Sequence, residues 1–435
     1  MTVLLRILIV LCSLTTAAHF LRFGTLWDAA PALLALPAAF FPRFLPRPLL
    51  ALGLLGGALL WAEHGTELAT LRMNFGLPWM RLALILGAVC LAHLGATALL
   101  LTGPGKKLFG PLSGVQVVKT ATALMVGGVL LMAVDKTPFP LLLGDRFFPG
   151  SEIFWICLFA IYGAMVSGWL LADSRGKVRS RIWTLFSAVF FGQLLLGLAG
   201  FSIFLMTGKL HLPVPALILA GPLYRGEGFF MPILLGVSLL LTGPAWCSYL
   251  CYIGAWDDRL ARLAPGPPAP LPAWAPRVRA GLLAATLLIP PALRLLGVPW
   301  TWALGMAALF GIIGVLVMML VSRRSGTMVH CTLYCPIGLA NNLIGKALPW
   351  RVRIGSGCTH CGACSRACRY NALTVTDLEK GRPGLSCSLC GDCLPRCPHG
   401  HLGYSFPGLP RERARQIFVT LVASLHAVFL AVARI

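Results

Sequence analysis

The sequence predicts a polytopic α-helical membrane protein of about eleven transmembrane helices, with one small α+β domain outside the bilayer. Three observations carry that reading. Mean hydropathy is +0.82 and only 11% of residues are charged, against about 25% in a soluble domain. Apolar runs long enough to cross about 30 Å of hydrocarbon recur along the chain. Twelve of the fifteen cysteines fall between positions 247 and 397, eight of them within forty residues. Their C-x2-C spacings in a long chain suggest metal rather than disulfides.

Helices are expected near 3–21, 27–41, 48–62, 79–101, 117–134, 152–172, 182–206, 229–245, 278–296, 300–321 and 416–433. The second and third are short and flanked by Pro42, Pro46 and Pro48, which suits a re-entrant pair. The first has the length of a signal peptide, but ten spans follow it, so it reads as an anchor. Alternating the sides from a cytoplasmic N-terminus places 27 of the 36 basic residues inside, with the 14 acids split seven and seven. The inside then carries +20 and the outside +2 of the formal +22. That is a strong positive-inside bias, so the charge records orientation and needs no nucleic-acid partner. An odd number of spans puts the C-terminus in the periplasm of a bacterial inner membrane. The expected organisation is an N-terminal bundle of about seven helices over 1–227, a transmembrane module over 228–350, a cysteine-rich domain over 351–406 and a last helix over 407–435.

Only about 322–415 is long and polar enough to fold outside the bilayer. Within it, Cys358, Cys361, Cys364 and Cys368 follow C-x2-C-x2-C-x3-C, and Cys387, Cys390, Cys393 and Cys397 repeat the spacing. This is the pattern of two-cluster bacterial ferredoxins, in which each run's last cysteine ligates the other [4Fe–4S] cluster. One cluster then takes Cys358, Cys361, Cys364 and Cys397, the other Cys387, Cys390, Cys393 and Cys368. Gly362, Ala363 and Gly391 let the backbone approach the sulfides. A zinc module is the alternative, but zinc needs four cysteines rather than interlocked sets of four. Pro398 follows the last cysteine as the pattern expects, whereas Arg369 follows Cys368. The segment between the runs predicts a short β-hairpin around Lys380-Gly381.

Upstream lie WCSYLCYIGAWDD and HCTLYCPIGLANN. Each holds a C-x3-C pair, Cys247 with Cys251 and Cys331 with Cys335, followed by Ile-Gly at the same offset. If helical, each pair shares one helix face. The helices between the two motifs form a hairpin, so all four thiols are expected at the cytoplasmic surface beside the ferredoxin insert. Such a parallel repeat can bring four thiolates together around a pseudo-two-fold axis.

These motifs resemble those of the NapH/NosR/CcoG-type membrane polyferredoxins, over roughly 229–400. In the first motif Tyr252 stands where that family often has proline, and residues 1–227 match none of its members by motif. The resemblance implies two [4Fe–4S] clusters, and a role for Cys247, Cys251, Cys331 and Cys335 that stays open: a third iron–sulfur centre, binding or reduction of a soft metal such as copper, thiol–disulfide cycling, or buried structural thiols.

Other candidates carry less. His93 lies mid-span, and His19 and His426 lie near span ends. No pair sits at matched depth for haem, and lone helical histidines are more often core residues. Leu94-Gly95-Ala96-Thr97 resembles the end of a flavin-attachment sequence but lacks its serine and reads as packing. Glu63, His64 and Glu67 cluster at an outer span end, as in proton or quinone chemistry or in a solvated turn. The apolar stretch 208–230, broken by Pro213, Pro215 and Pro222, is expected to dip into the interface. With His211, Tyr224, Arg225 and Glu227 it would border a quinone or partner site. There is no Walker motif, dinucleotide-binding loop or hydrolytic triad.

The expected function is membrane-bound iron–sulfur electron transfer between a redox partner and the quinone pool, as an oxidoreductase component of the quinol-dehydrogenase kind. The basic inner surface would steer an acidic redox protein or a subunit of a respiratory complex. Two other roles remain open: a copper-reducing assembly factor acting through the C-x3-C pairs, and a membrane anchor subunit without turnover of its own.

Overall fold

The computed structural model describes residues 1–24, 26–204 and 212–433. Ten of its helices are long and apolar enough to cross a membrane, consistent with a multi-pass membrane protein. The chain divides into two units, Met1–Leu171 and Ala172–Ile435.

In the first unit, the second expected span is an eleven-residue helix, Ala30–Phe40. At 1.5 Å per residue it rises about 16 Å, roughly half the hydrocarbon thickness. Pro37 lies inside it and Pro42 follows it, and proline removes the donors that would continue it. The third expected span is longer than 48–62. It runs Arg47–Asn74, because Pro48 sits in its first turn, where a missing N–H costs nothing. No breaker intervenes before Gly76, whose φ is +65°. Glu63, His64 and Glu67 therefore lie on a helix rather than in a turn. The core of this unit joins Leu5, Ile9 and Cys12 of the first helix to Leu50, Leu54, Ala96 and Leu100. His93 is buried there. Its Nε2 lies 3.0 Å from Thr16 Oγ1 and its Nδ1 lies 2.9 Å from the Val89 carbonyl. A Cβ on Gly57 would come within 2.6 Å of the imidazole, so glycine is what lets the two helices close on it.

The second unit holds membrane-length helices at Val178–Leu198, Phe230–Tyr249, Ala275–Leu295, Trp300–Ser325 and Arg411–Val432, together with shorter helices and the cysteine-rich insert. The insert is tied at its ends by two antiparallel strands, β1 (Arg351–Ile354) and β2 (Leu402–Ser405), in the register Arg351↔Ser405 to Ile354↔Leu402. The hairpin expected at Lys380-Gly381 does not form. Val375–Glu379 is a short helix with a capping box, in which Thr374 Oγ1 accepts from the Asp377 N–H and the Asp377 carboxylate accepts from the Thr374 N–H. That reciprocal pair satisfies two donors locally and favours a helical turn over a strand.

The two cysteine runs have matching backbones. His360 and Leu389 both have φ near +55°, as do Gly362 with Gly391 and Asn371 with Gly400 in the same left-handed region. Each member of a pair follows its counterpart by 29 residues. A left-handed residue within each C-x2-C turns the chain back so that successive sulfurs face one point. The sequence repeat is therefore a conformational repeat.

Candidate metal centres

Three hollows in the second unit are each lined by four cysteines. Cys358, Cys361, Cys364 and Cys397 surround one of about 350 Å³. Cys368, Cys387, Cys390 and Cys393 surround another of about 360 Å³. Cys247, Cys251, Cys331 and Cys335 surround a third of about 430 Å³. Among the described residues, no three His, Cys, Asp or Glu side chains are grouped as ligands of a single ion. The sulfurs stand around a space, which is what a polynuclear group requires.

Burial governs the protonation of these sulfurs. It pushes the Cys368, Cys387 and Cys390 thiols up to about 12, and raises Cys251, Cys331 and Cys335 as well. Such thiols become thiolates only when a cation shares the hollow and repays the desolvation. Cys361 is the exception. It is exposed, and the Ala363 backbone N–H draws its thiol below the ordinary value. The hollows are also held from outside. Tyr404 donates to the Leu389 carbonyl at 3.0 Å and stacks on Phe418 of the last helix with ring centroids 4.2 Å apart.

The third hollow is made by helix starts. Neither C-x3-C pair lies on one helix face as the i, i+4 spacing predicts. Cys251 (φ −76°, ψ 107°) caps Tyr252–Ala261, and Cys335 (φ −73°, ψ 117°) caps Pro336–Ala347. Each pair straddles the break before its helix. Before Pro336 the extended conformation is sterically required. Cys251 adopts nearly the same conformation without a proline. Tyr252 in place of proline therefore leaves the turn unchanged. The Ile-Gly that follows each pair has a matching reason. A Cβ on Gly338 would lie 2.6 Å from the Cys331 carbonyl, and one on Gly254 would lie 3.1 Å from the Cys247 carbonyl and 2.6 Å from the Trp183 ring.

The two motifs also cross. Asp257 lies ten residues after Cys247, and Asn341 lies ten residues after Cys331. The Cys331 N–H donates to Asp257 Oδ2 at 2.9 Å, and Asn341 Nδ2 donates to Cys247 Sγ at 3.0 Å. Each repeat thus reaches the first cysteine of the other. Burial pushes the Asp257 carboxyl up to about 6, against the bonds it accepts. Arg279 is buried at 6% exposure and is acted on by Cys247, Cys335 and Cys331. Its Nε has no hydrogen-bond partner. A buried guanidinium needs an anion, and Cys247, Cys335 and Cys331 lie within electrostatic range of this one. That fits a hollow whose occupied state is negative.

The insert is bonded to this module. Ser248 Oγ donates to the Ser388 carbonyl and the Tyr249 hydroxyl to the Cys390 carbonyl, each at 2.9 Å. Arg179 and Arg262 clamp Asp258 and Asp392 with contacts of 2.6–3.0 Å. Burial alone would raise the Asp258 carboxyl, but the Arg179 and Arg262 guanidiniums hold it well below the usual range. Arg369 explains the missing proline after Cys368. Its Nη1 donates to the carbonyls of Ala261 and Gly326 at 2.8 Å, and its own carbonyl accepts from Met328 N–H at 2.9 Å. Tyr370 and Ser388 line both the second and the third hollows.

Sequence reasoning missed Arg279, Asp257, Asn341, Arg179 and Asp392. Superposing the two C-x3-C motifs would have revealed Asp257 and Asn341 as equivalent polar positions. No local pattern marks Arg279 or Arg179. Of the outer-loop candidates, His211 lies outside the described residues, and the Tyr224 hydroxyl donates to the Val298 carbonyl at 2.7 Å.

A family model described as a 4Fe-4S binding domain matches residues 228–267 and 304–355. The matched segments contain the two C-x3-C pairs and end before Cys358. No curated protein and no solved structure matches the chain significantly. The chain thus carries a 4Fe–4S binding module together with ten helices compatible with membrane spans.

Proposed function

We propose that the chain relays electrons between a redox partner and the quinone pool of a bacterial inner membrane, in the manner of the NapH/NosR/CcoG-type polyferredoxins. The observation that carries this reading is three four-cysteine hollows of similar size in one unit, the third built on helices that continue membrane-length helices. Cys358, Cys361, Cys364 and Cys397 would hold one [4Fe–4S] cluster and Cys368, Cys387, Cys390 and Cys393 a second. Cys247, Cys251, Cys331 and Cys335 would hold a third. When bound, such clusters take up and release single electrons at potentials tuned by hydrogen bonds and burial.

The chain's own residues set the terms. Asn341 and Ala372 direct donors at sulfur, with Asn341 Nδ2 3.0 Å from Cys247 Sγ and Ala372 N 3.3 Å from Cys368 Sγ. Arg279 supplies positive charge where no solvent reaches. Tyr370 and Ser388 fill the space shared by the second and third hollows and keep water from it. At the polar face, Arg175, Arg262, Arg366, Arg369 and Arg396 line a cleft of about 920 Å³ that also touches Ala363 and Ala367 of the first cysteine run. That cleft suits an acidic redox protein docking close to the first hollow.

The positive-inside bias places the insert in the cytoplasm. Ten spans in place of eleven would put both termini on the opposite side, and a reporter at the N-terminus would then read as periplasmic. The copper-reducing role competes for the third hollow, since soft thiolates also hold Cu(I). Its similar size to the ferredoxin hollows favours the same kind of group in all three.

Iron and acid-labile sulfide analysis with EPR of the reduced protein tests the count. About twelve irons are expected, and about eight would remove the third cluster. Added quinol should reduce the centres, and no reduction at any quinol potential would remove the quinone relay.

A further inference from the structure

A large apolar chamber adjoins the third hollow. It encloses about 1190 Å³ including its mouth, nearly three times the space of the hollow itself. Phe191, Trp256 and Phe310 form its inner wall, the stretch Leu212–Ala216 closes one side, and Ala308 to Leu316 of a membrane-length helix form the other. Pro215, Ile253, His330 and Cys335 line both spaces. The chamber and the sulfur hollow are therefore divided by single side chains.

The polar equipment of the chamber is confined to the end that meets the sulfurs. The Trp256 indole N–H is already committed to Ser187 Oγ at 2.9 Å. His330 is not committed in this way. It is buried at 5% exposure, and neither its Nδ1, which packs beside Gly314, nor its Nε2 has a hydrogen-bond partner. An unpartnered buried ring nitrogen in an apolar room calls for one polar atom from whatever fills the room. Ile312, Val315 and Leu316 also line the chamber, and their side chains are exposed on the membrane-length helix. The room thus opens on the surface that faces lipid and ends at one imidazole beside a cysteine.

We propose that this chamber is the quinone site of the protein, with a quinone ring oxygen hydrogen-bonded to His330, the ring edge beside Cys335, and the apolar tail leaving past Ile312 and Leu316. Pockets for such ligands are mostly apolar with a few placed polar groups, and a flat ring with an oxygen at its edge and a hydrocarbon tail matches this distribution. The inference rests on the quinone reading above and places it. The stretch 212–216 belongs to the apolar segment that the sequence marks as bordering such a site. His330 it does not mark.

The test uses the full-length protein in lipid nanodiscs and a photoreactive azidoquinone. The label is expected on peptides containing Leu212–Ala216, Trp256 or Ala308–Leu316, and excess decylquinone should compete it away. Ala308→Phe, which fills the room without touching a cysteine, should reduce labelling at least tenfold at unchanged iron content. His330→Leu should weaken decylquinone binding about tenfold, and His330→Gln, which keeps a polar atom, less. Label that maps elsewhere, or that is not competed, overturns the chamber assignment without need of any variant. Quinol reduction of the iron–sulfur centres is read separately. If it persists in Ala308→Phe, the relay stands and the chamber is not its site. If it is absent from the wild type while the label maps to the chamber, the relay falls and the binding site stands.

Discussion

The ferredoxin insert and the helix-borne C-x3-C module both gather four cysteines from two copies of a short motif, and they do it by different exchanges. In the insert, the copies trade a sulfur. Cys368 turns into the hollow of the second run and Cys397 into that of the first. In the module, each helix start keeps its own two cysteines, and the copies trade hydrogen bonds instead, through Asp257 and Asn341. The difference follows from stiffness. Turns with left-handed residues can fold a sulfur across to a neighbour, whereas a cysteine capping a helix is committed to that helix, and only a side chain two or three turns on can cross. The surroundings differ too. Cys361 is exposed and is helped by a backbone N–H and by solvent. The module holds no exposed cysteine, and Arg279 is buried in it. A site with no access to water must carry its own countercharge.

The sharpest way to separate the two constructions is Cys247→Ser combined with Cys335→Ser. Iron content should fall by about a third, from about twelve to about eight atoms per chain, while the EPR signals of the insert persist. Loss of all signals together would mean that the two sites are not independently assembled. Next in size is Arg179→Met, which removes the guanidinium joining Asp258 of the module to Asp392 of the insert. Breaking a buried pair from one side costs about 3–5 kcal/mol, read as a lowered unfolding midpoint. The same clamp predicts a pH dependence. The Asp258 carboxyl is held below its unfolded value of about 3.9, so its contribution is fully present above that value and is lost as pH falls through the folded one. The unfolding temperature should therefore drop below about pH 4 in the wild type, and less steeply in Asp258→Asn.

Smaller effects test the local geometry. Gly338→Ala forces a Cβ against the Cys331 carbonyl and should cost about 1–3 kcal/mol. Gly281→Ala, with nothing within 4 Å of the added atom, should stay within about 0.5 kcal/mol. Equal effects from the two would remove the steric account of the Ile-Gly signature. Smallest is Tyr404→Phe, which deletes one bond to the Leu389 carbonyl at about 1 kcal/mol. It should perturb the EPR signal from the second hollow and leave that from the third unchanged.

Much of the architecture was legible because it is written locally. Apolar run length announced the membrane helices, and it misjudged two of them where prolines decided the outcome: Pro37 and Pro42 shorten one helix, while Pro48 harmlessly starts another. The i, i+4 cysteines suggested an unbroken helix. Cys251 and Cys335 are instead extended at the start of the next helix, and periodicity does not register such a break. The Lys380-Gly381 hairpin failed for a similar reason, since Thr374 and Asp377 form a capping box that the strand reading overlooked.

By itself the sequence determined most of the long apolar helices and the repeated cysteine spacings, because composition, period and turn chemistry act over a few residues. The repeat already suggested that the two C-x3-C pairs meet; tertiary structure alone decided that Asp257 and Asn341 cross between them and that Arg279 is buried within electrostatic range of their sulfurs. It alone placed an apolar room with an unpartnered imidazole beside them. Those outcomes depend on how helices far apart in the chain pack, and burial and charge pairing are properties of the packed site that no single segment possesses.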